Sequence, residues 1–112
     1  MPLINIRTSA TEITDTNGFL KKVSSKIAEL TSKPEIYVMA TLEFDAPMLF
    51  GGSSEDCCYI EVKSIGGINP SRMSNDLCML INESLGVQKE RIYINFEDIQ
   101  AKNWGYNATT FG

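Results

Sequence analysis

Histidine is absent from all 112 residues of this chain. That absence removes Ser/His/Asp and Cys/His nucleophilic machinery and every His-based metal site. Acid–base chemistry near neutral pH then falls to a group with a perturbed pKa or to a terminal amine. Cysteine is scarce: Cys57, Cys58 and Cys78 are an odd set with two members adjacent, which makes a poor disulfide framework and suits a reducing compartment. No apolar run approaches the about 18 residues that a membrane span needs. The first residues lack the basic region and continuous apolar stretch of a signal peptide, so cytoplasmic residence is expected. The formal net charge of −4 runs against a nucleic-acid binder that relies on a basic surface. "FGGSSE" is glycine-rich, but no Gly-Lys-Ser/Thr follows it, so it is not a phosphate cradle. Neither a metal nor an organic cofactor is expected.

What remains is an ordinary globular composition, 43% hydrophobic and 21% charged. The length makes it one domain, spanning residues 1–112. A domain of this size buries only about two-thirds of its unfolded surface, so association would add stability.

Periodicity divides the chain into strand, helix, strand, and then the same again. "PLINIRT" sets Leu3 and Asn5 against Ile4 and Ile6 with the period of a strand. Turn chemistry at Asp15–Gly18 precedes Phe19, Leu20, Val23, Ile27 and Leu30, whose spacing predicts a helix over about residues 18–31. "IYVMATLEF" reads as a strand, and "DAPMLFGGSSED" as a loop with a short extended piece near Met48–Phe50. "CYIEVKSI" is the third strand. Asn69 as N-cap and Pro70 at the first helical position open a second helix with an apolar stripe at Met73, Leu77, Leu80, Ile81 and Leu85. Gly86 stands where a left-handed C-cap is wanted. "RIYINFEDI" is the fourth strand, and "KPEIYV" and "KERIYI" lead into the second strand of each half alike. The fold class is therefore α+β: a duplicated split βαβ, with halves at about residues 2–45 and 57–98 and a C-terminal tail. It forms a four-stranded mixed sheet with two helices on one face. The other face has no cover within the chain and is expected to carry many apolar residues, which calls for a partner.

Pro2 at the mouth of the first strand admits two explanations. Proline is tolerated as the first residue of a strand, where a missing N–H costs nothing. Alternatively, removal of Met1 leaves a secondary amine that can serve as a base.

"MPLINI", "GFL", "TSKP", "FGGSSE", "SIG" and "RIYINFEDIQAKNWGYNATTFG" occur in the order and approximate spacing of the macrophage migration inhibitory factor family, which this chain resembles along nearly its whole length. The resemblance implies a homotrimer of the tautomerase superfamily. It also implies keto–enol tautomerase activity on small aromatic enolisable acids such as phenylpyruvate and hydroxyphenylpyruvate, and on dopachrome derivatives. On it, Pro2 is the catalytic base, and Lys33 and the backbone N–H of Ile65, beside Ser64, bind the substrate carboxylate. Tyr93 and Asn95 come from across the subunit interface, while Tyr37, Trp104, Tyr106 and Phe111 line the pocket mouth. Read without the family, Lys33 merely complements a helix dipole, and Tyr93, Trp104 and Phe111 merely pack.

Some positions depart from the family. Relatives with a Cys-x-x-Cys pair implicated in thiol chemistry differ from this chain, which has Cys57 but Ile60. Relatives that signal through chemokine-type receptors pair an arginine with an aspartate; here Glu12 stands in the arginine's place opposite Asp45, so receptor interaction is not expected. The alternative function is a cytokine-like signalling or interaction protein whose tautomerase activity is vestigial. A purely regulatory trimer of ferredoxin-like topology leaves Pro2 and Lys33 unexplained.

Overall fold

The computed structural model describes all residues 1–112. Strand β1 (Pro2–Thr8) buries alternate residues, so Pro2, Ile4, Ile6 and Thr8 face inward. Strand β3 (Cys58–Ser64) does the same with Ile60, Val62 and Ser64. These two pair antiparallel at the centre, with Pro2 opposite Ser64 and Thr8 opposite Cys58. Strand β2 (Met39–Glu43) adds parallel to β1, and strand β4 (Ile92–Asp98) adds parallel to β3. The sheet order is β2-β1-β3-β4. Each parallel pair needs a crossover, and each crossover is a helix.

Helix α1 (Thr16–Thr31) starts earlier than the apolar spacing implied, because Asp15 is its N-cap: the carboxylate accepts from the Gly18 N–H at 2.9 Å. Helix α2 (Pro70–Leu85) has proline at its first position and Gly86 in the left-handed region at φ 72°. Asn69 occupies the N-cap position without a side-chain capping bond. Phe19, Val23 and Ile27 of α1 and Met73, Leu77 and Ile81 of α2 close over Ile4, Ile6, Ile60 and Val62 to make one core. Burying each such side chain is worth about 1.5–3 kcal/mol relative to exposure.

The second strand is shorter than "IYVMATLEF" suggested. Glu35–Tyr37 form a 3-10 turn, and the strand proper begins at Met39. Lys89–Arg91 form the matching turn before β4. Superposing the halves on these turns sets Glu35 on Lys89 and Tyr37 on Arg91. The similarity of "KPEIYV" to "KERIYI" is therefore two residues out of step with the structural repeat. The tail after β4 carries a third 3-10 turn, Ala101–Asn103, and a small hairpin of β5 (Gly105–Tyr106) and β6 (Thr109–Thr110).

The uncovered sheet face differs from expectation. Its rows read Met39–Leu3–Lys63–Glu97, Thr41–Asn5–Glu61–Asn95 and Glu43–Arg7–Tyr59–Tyr93. Only Leu3, Met39, Tyr59 and Tyr93 are apolar or aromatic; the rest form a polar ladder. Thr41 donates to Asn5 at 2.7 Å, Asn5 to Glu61 at 3.4 Å, and Arg7 pairs with Glu43 at 3.4 Å. Period-two alternation reports which residues share a face, but it does not make the outward set apolar. Of that face's apolar residues, Met39 (62% exposed) and Tyr93 (66%) stand on the edge strands β2 and β4, while the more exposed Ile36 and Leu49 lie in the turn before β2 and the loop before β3.

Candidate active site

Pro2 opens β1 and is fully buried, in register with Ser64, which is itself in register with Asp98. One end of the sheet thus presents Pro2, Ser64 and Asp98 in a single row. Helix α1 brings Lys33 to the same end. Ser32 adopts φ 57° at the C-cap, and the Lys33 N–H reaches back to the Ala28 carbonyl at 3.2 Å, which turns the chain off the helix.

The loop after β3 completes the constellation. Gly67 lies at φ +74°, where a Cβ would meet the Thr31 carbonyl at 2.5 Å, so the loop seats directly on the end of α1. A Cβ on Gly66 would lie 3.9 Å from the Lys33 Nζ, which places the ammonium beside this loop. The Ile65 N–H donates to the Met1 carbonyl at 3.4 Å. Burial, and secondarily the positive charge of Lys33, hold the amine of Met1 below its ordinary pKa of 8.0. Pro2, Lys33, Ser64 and Ile65 are therefore brought together by one chain. Ser64 differs from a free ligand: it is buried, and its hydroxyl donates to the Gly66 carbonyl at 2.7 Å.

An aromatic cluster stands nearby, because Tyr37 lies two residues before Met39, which pairs with Leu3. Tyr106 and Phe111 stack at 5.2 Å and 12°, and Tyr37 meets them edge-on at 6.0 and 6.3 Å. Trp104 is not one of these stacked rings. It is half-buried, and its carbonyl accepts from the Phe111 N–H at 3.2 Å, tying down the hairpin.

Tyr93 and Asn95 are not at this end within one chain. Tyr93 pairs with Tyr59, whose partner is Arg7, at the far end of β1. At about 3.3 Å per residue it lies roughly 17 Å along β4 from Asp98. There Tyr93 packs on Phe50 at 4.6 Å and helps line a cavity of about 300 Å³ with Met48, Leu49, Cys57 and Cys58. A larger open groove of about 910 Å³ runs between α1 and α2, past Lys22, Lys26, Asp76 and Glu83. Neither concavity includes Pro2 or Lys33.

Two contacts had no signal in the sequence. Arg91 donates to the carbonyls of Phe50, Ser53, Glu55 and Asp56 at 2.9–3.2 Å, so the "FGGSSE" loop is clamped rather than free. Asp98 accepts from the Gly66 N–H at 3.0 Å. The segments carrying Glu12 and Asp45 are joined by the Asp45 N–H bond to the Ala10 carbonyl at 2.9 Å, which holds two acidic segments side by side. Burial pushes the Cys58 thiol up to about 12, and Cys57 is equally enclosed, at 1% exposure.

The same architecture recurs in known proteins. The family profile described as "Macrophage migration inhibitory factor (MIF)" matches residues 1–112. A macrophage migration inhibitory factor homolog of Brugia malayi is 36% identical over 115 residues, covering all of both chains. The Rattus norvegicus macrophage migration inhibitory factor is 32% identical over 99% of each. The crystal structure of the homologue from Prochlorococcus marinus superposes with a TM-score of 0.93 at 49% identity, covering 98% of this chain and 99% of the other. The structure of the macrophage migration inhibitory factor from Trichinella spiralis superposes with a TM-score of 0.89 at 34% identity, covering 97% of this chain and 99% of the other. With the profile and full-length relatives agreeing with the fold, the chain belongs to the macrophage migration inhibitory factor family.

Proposed function

We infer that this protein is a keto–enol tautomerase of aromatic α-keto acids such as phenylpyruvate, with the amine of Pro2, freed by removal of Met1, as its general base. The observation that carries this reading is the buried Pro2 at the sheet end to which Lys33 is brought, where burial and then that lysine hold the amine of Met1 below its ordinary value. A base must be neutral to accept a proton, and both influences favour the neutral amine.

The chemistry is a proton transfer without redox change. Pro2 takes a proton from the carbon next to the keto group, that C–H electron pair becomes the enol double bond, and the keto oxygen gains a proton. Lys33 holds the substrate carboxylate by charge. The Ile65 N–H, which loses its acceptor when Met1 leaves, becomes a second donor to it. Tyr37, Tyr106 and Phe111 supply apolar ring surface for the aromatic end.

Tyr93 and Asn95 reach such a substrate from a neighbouring subunit of a homotrimer. Two features support association: β2 and β4 each end the sheet with an unpaired edge, and those edge strands expose Met39 and Tyr93. The test is a phenylpyruvate tautomerase assay on protein verified by mass spectrometry to begin at Pro2. Turnover above the uncatalysed rate is expected; its absence in fully processed, folded protein would overturn the reading.

A further inference from the structure

We propose that Asp98 is a positioning residue for this site, acting through Gly66 to aim the Ile65 N–H and keep it beside Lys33. The proposal rests on the tautomerase reading above for its functional consequence, and on geometry alone for its structural one.

The loop from Ser64 to Gly67 has little to hold it by hydrophobic packing, since Gly66 and Gly67 carry no side chain. It is fixed by polar contacts instead. The Ser64 hydroxyl donates to the Gly66 carbonyl at 2.7 Å, and the Asp98 carboxylate accepts from the Gly66 N–H at 3.0 Å. Both backbone polar groups of one residue are thus taken by side chains at neighbouring strand ends. Those ends are themselves locked, because Ser64 and Asp98 are register partners and the Ile99 N–H donates to the Ser64 carbonyl at 2.8 Å.

Fixing Gly66 fixes the orientation of Ile65, whose N–H points at the carbonyl position of Met1. It also holds the chain at φ +71°, a conformation that leaves the Lys33 ammonium close by. The neighbouring carboxylate cannot substitute: Glu97 faces the opposite side of β4 and pairs with Lys63 at 3.8 Å. Asp98 touches neither Pro2 nor the expected substrate, so its contribution is orientation of the carboxylate-binding donors.

An effect on carboxylate binding predicts a change in KM rather than in kcat. In full-length protein beginning at Pro2, Asp98→Ala should raise KM for phenylpyruvate about tenfold while kcat stays within about threefold. Asp98→Asn keeps an oxygen acceptor in the same place and should stay within about threefold of wild type in both constants. An unchanged KM in Asp98→Ala, or an Asp98→Asn variant as impaired as Asp98→Ala, overturns the proposal. Hydrogen exchange at the Gly66 amide, measured without substrate, separates this from the tautomerase reading. That amide should exchange slowly in wild type and Asp98→Asn, and about tenfold faster in Asp98→Ala. If wild type turned over no phenylpyruvate, the tautomerase reading would fail while the exchange pattern still decided whether Asp98 holds the loop; equal exchange in all three proteins overturns that. Should Asp98→Ala not fold, Ser64→Ala releases the other half of the clamp and should give the same KM-led loss. A wild-type Gly66 amide exchanging at the free-peptide rate overturns the clamp without any variant.

Discussion

The guanidinium of Arg91 lies over the ring of Phe50, 5.2 Å from its centroid, and donates to the carbonyl of that same residue at 3.2 Å. On its other side Phe50 meets Tyr93 at 4.6 Å. A residue in the turn before β4 therefore sets the shape of a loop some forty positions earlier, and with it the seat of the Tyr93 ring.

Arg91→Ala should destabilise the protein by roughly 2 kcal/mol, since several charge-assisted bonds to carbonyls are lost together. Arg91→Lys should recover only part of this, because an ammonium cannot span the fork of acceptors. Urea unfolding gives the magnitude. Limited proteolysis should show new cleavage within residues 51–55, and an uncut loop in Arg91→Ala would refute the clamp.

The acid limb of kcat/KM reports protonation of the base. With Met1 in place its amine is held below 8.0 first by burial and then by Lys33, and the same two influences act on the Pro2 amine once Met1 is removed. Wild-type activity should therefore rise with pH as the Pro2 amine loses its proton. Lys33→Ala removes the like charge but not the burial, so the limb should move upward, and kcat/KM should fall about tenfold or more as carboxylate binding weakens. A limb that stays in place would show that Lys33 does not act on the base.

Retained Met1 converts Pro2 into a tertiary amide without a basic lone pair. Activity should follow the processed fraction measured by mass spectrometry. Pro2→Gly keeps a primary amine and should lose on the order of 100-fold, the lower end for a displaced general base. Equal turnover by fully Met1-retaining protein would rule out the amine as base.

A site shared between subunits makes a mixing prediction. Light scattering should give a trimer at micromolar concentration. Pro2→Gly and Tyr93→Ala homotrimers should each be impaired, and co-refolded mixtures should regain activity above either parent, because some interfaces then combine an intact Pro2 with an intact Tyr93. A stable monomer, or mixtures no better than the average of their parents, would count against the shared site.

Thiol–disulfide exchange should be negligible. Cys57 and Cys58 are buried, the Cys58 thiol is pushed up to about 12, and Ile60 leaves no resolving thiol three residues from Cys57. Alkylation of native protein should label the half-buried Cys78 before the other two. Insulin reduction that vanished in Cys57→Ser would contradict this.

Local signals were enough to set the elements and the inward faces. Period-two alternation marks β1 and β3, helical spacing marks α1 and α2, and Gly86 stops the second helix, because each of these signals acts within a few residues. Pro2 and Lys33 were singled out through the family's motifs, and the fold carries them to one end of the sheet. Boundaries governed by capping and turns were less so: Asp15 read as turn chemistry yet caps α1, and Ile36–Tyr37 read as strand yet form a 3-10 turn. Relationships between distant residues depended on how the strands and loops pack. The outward sheet rows turned out to be a polar ladder because strand register, not alternation, chooses which side chains become neighbours. Asp98 and Arg91 look like ordinary surface charges in the sequence. Their roles exist only because the parallel pairing of β3 with β4 brings one to the Gly66 amide, and the turn before β4 brings the other to four carbonyls of the "FGGSSE" loop.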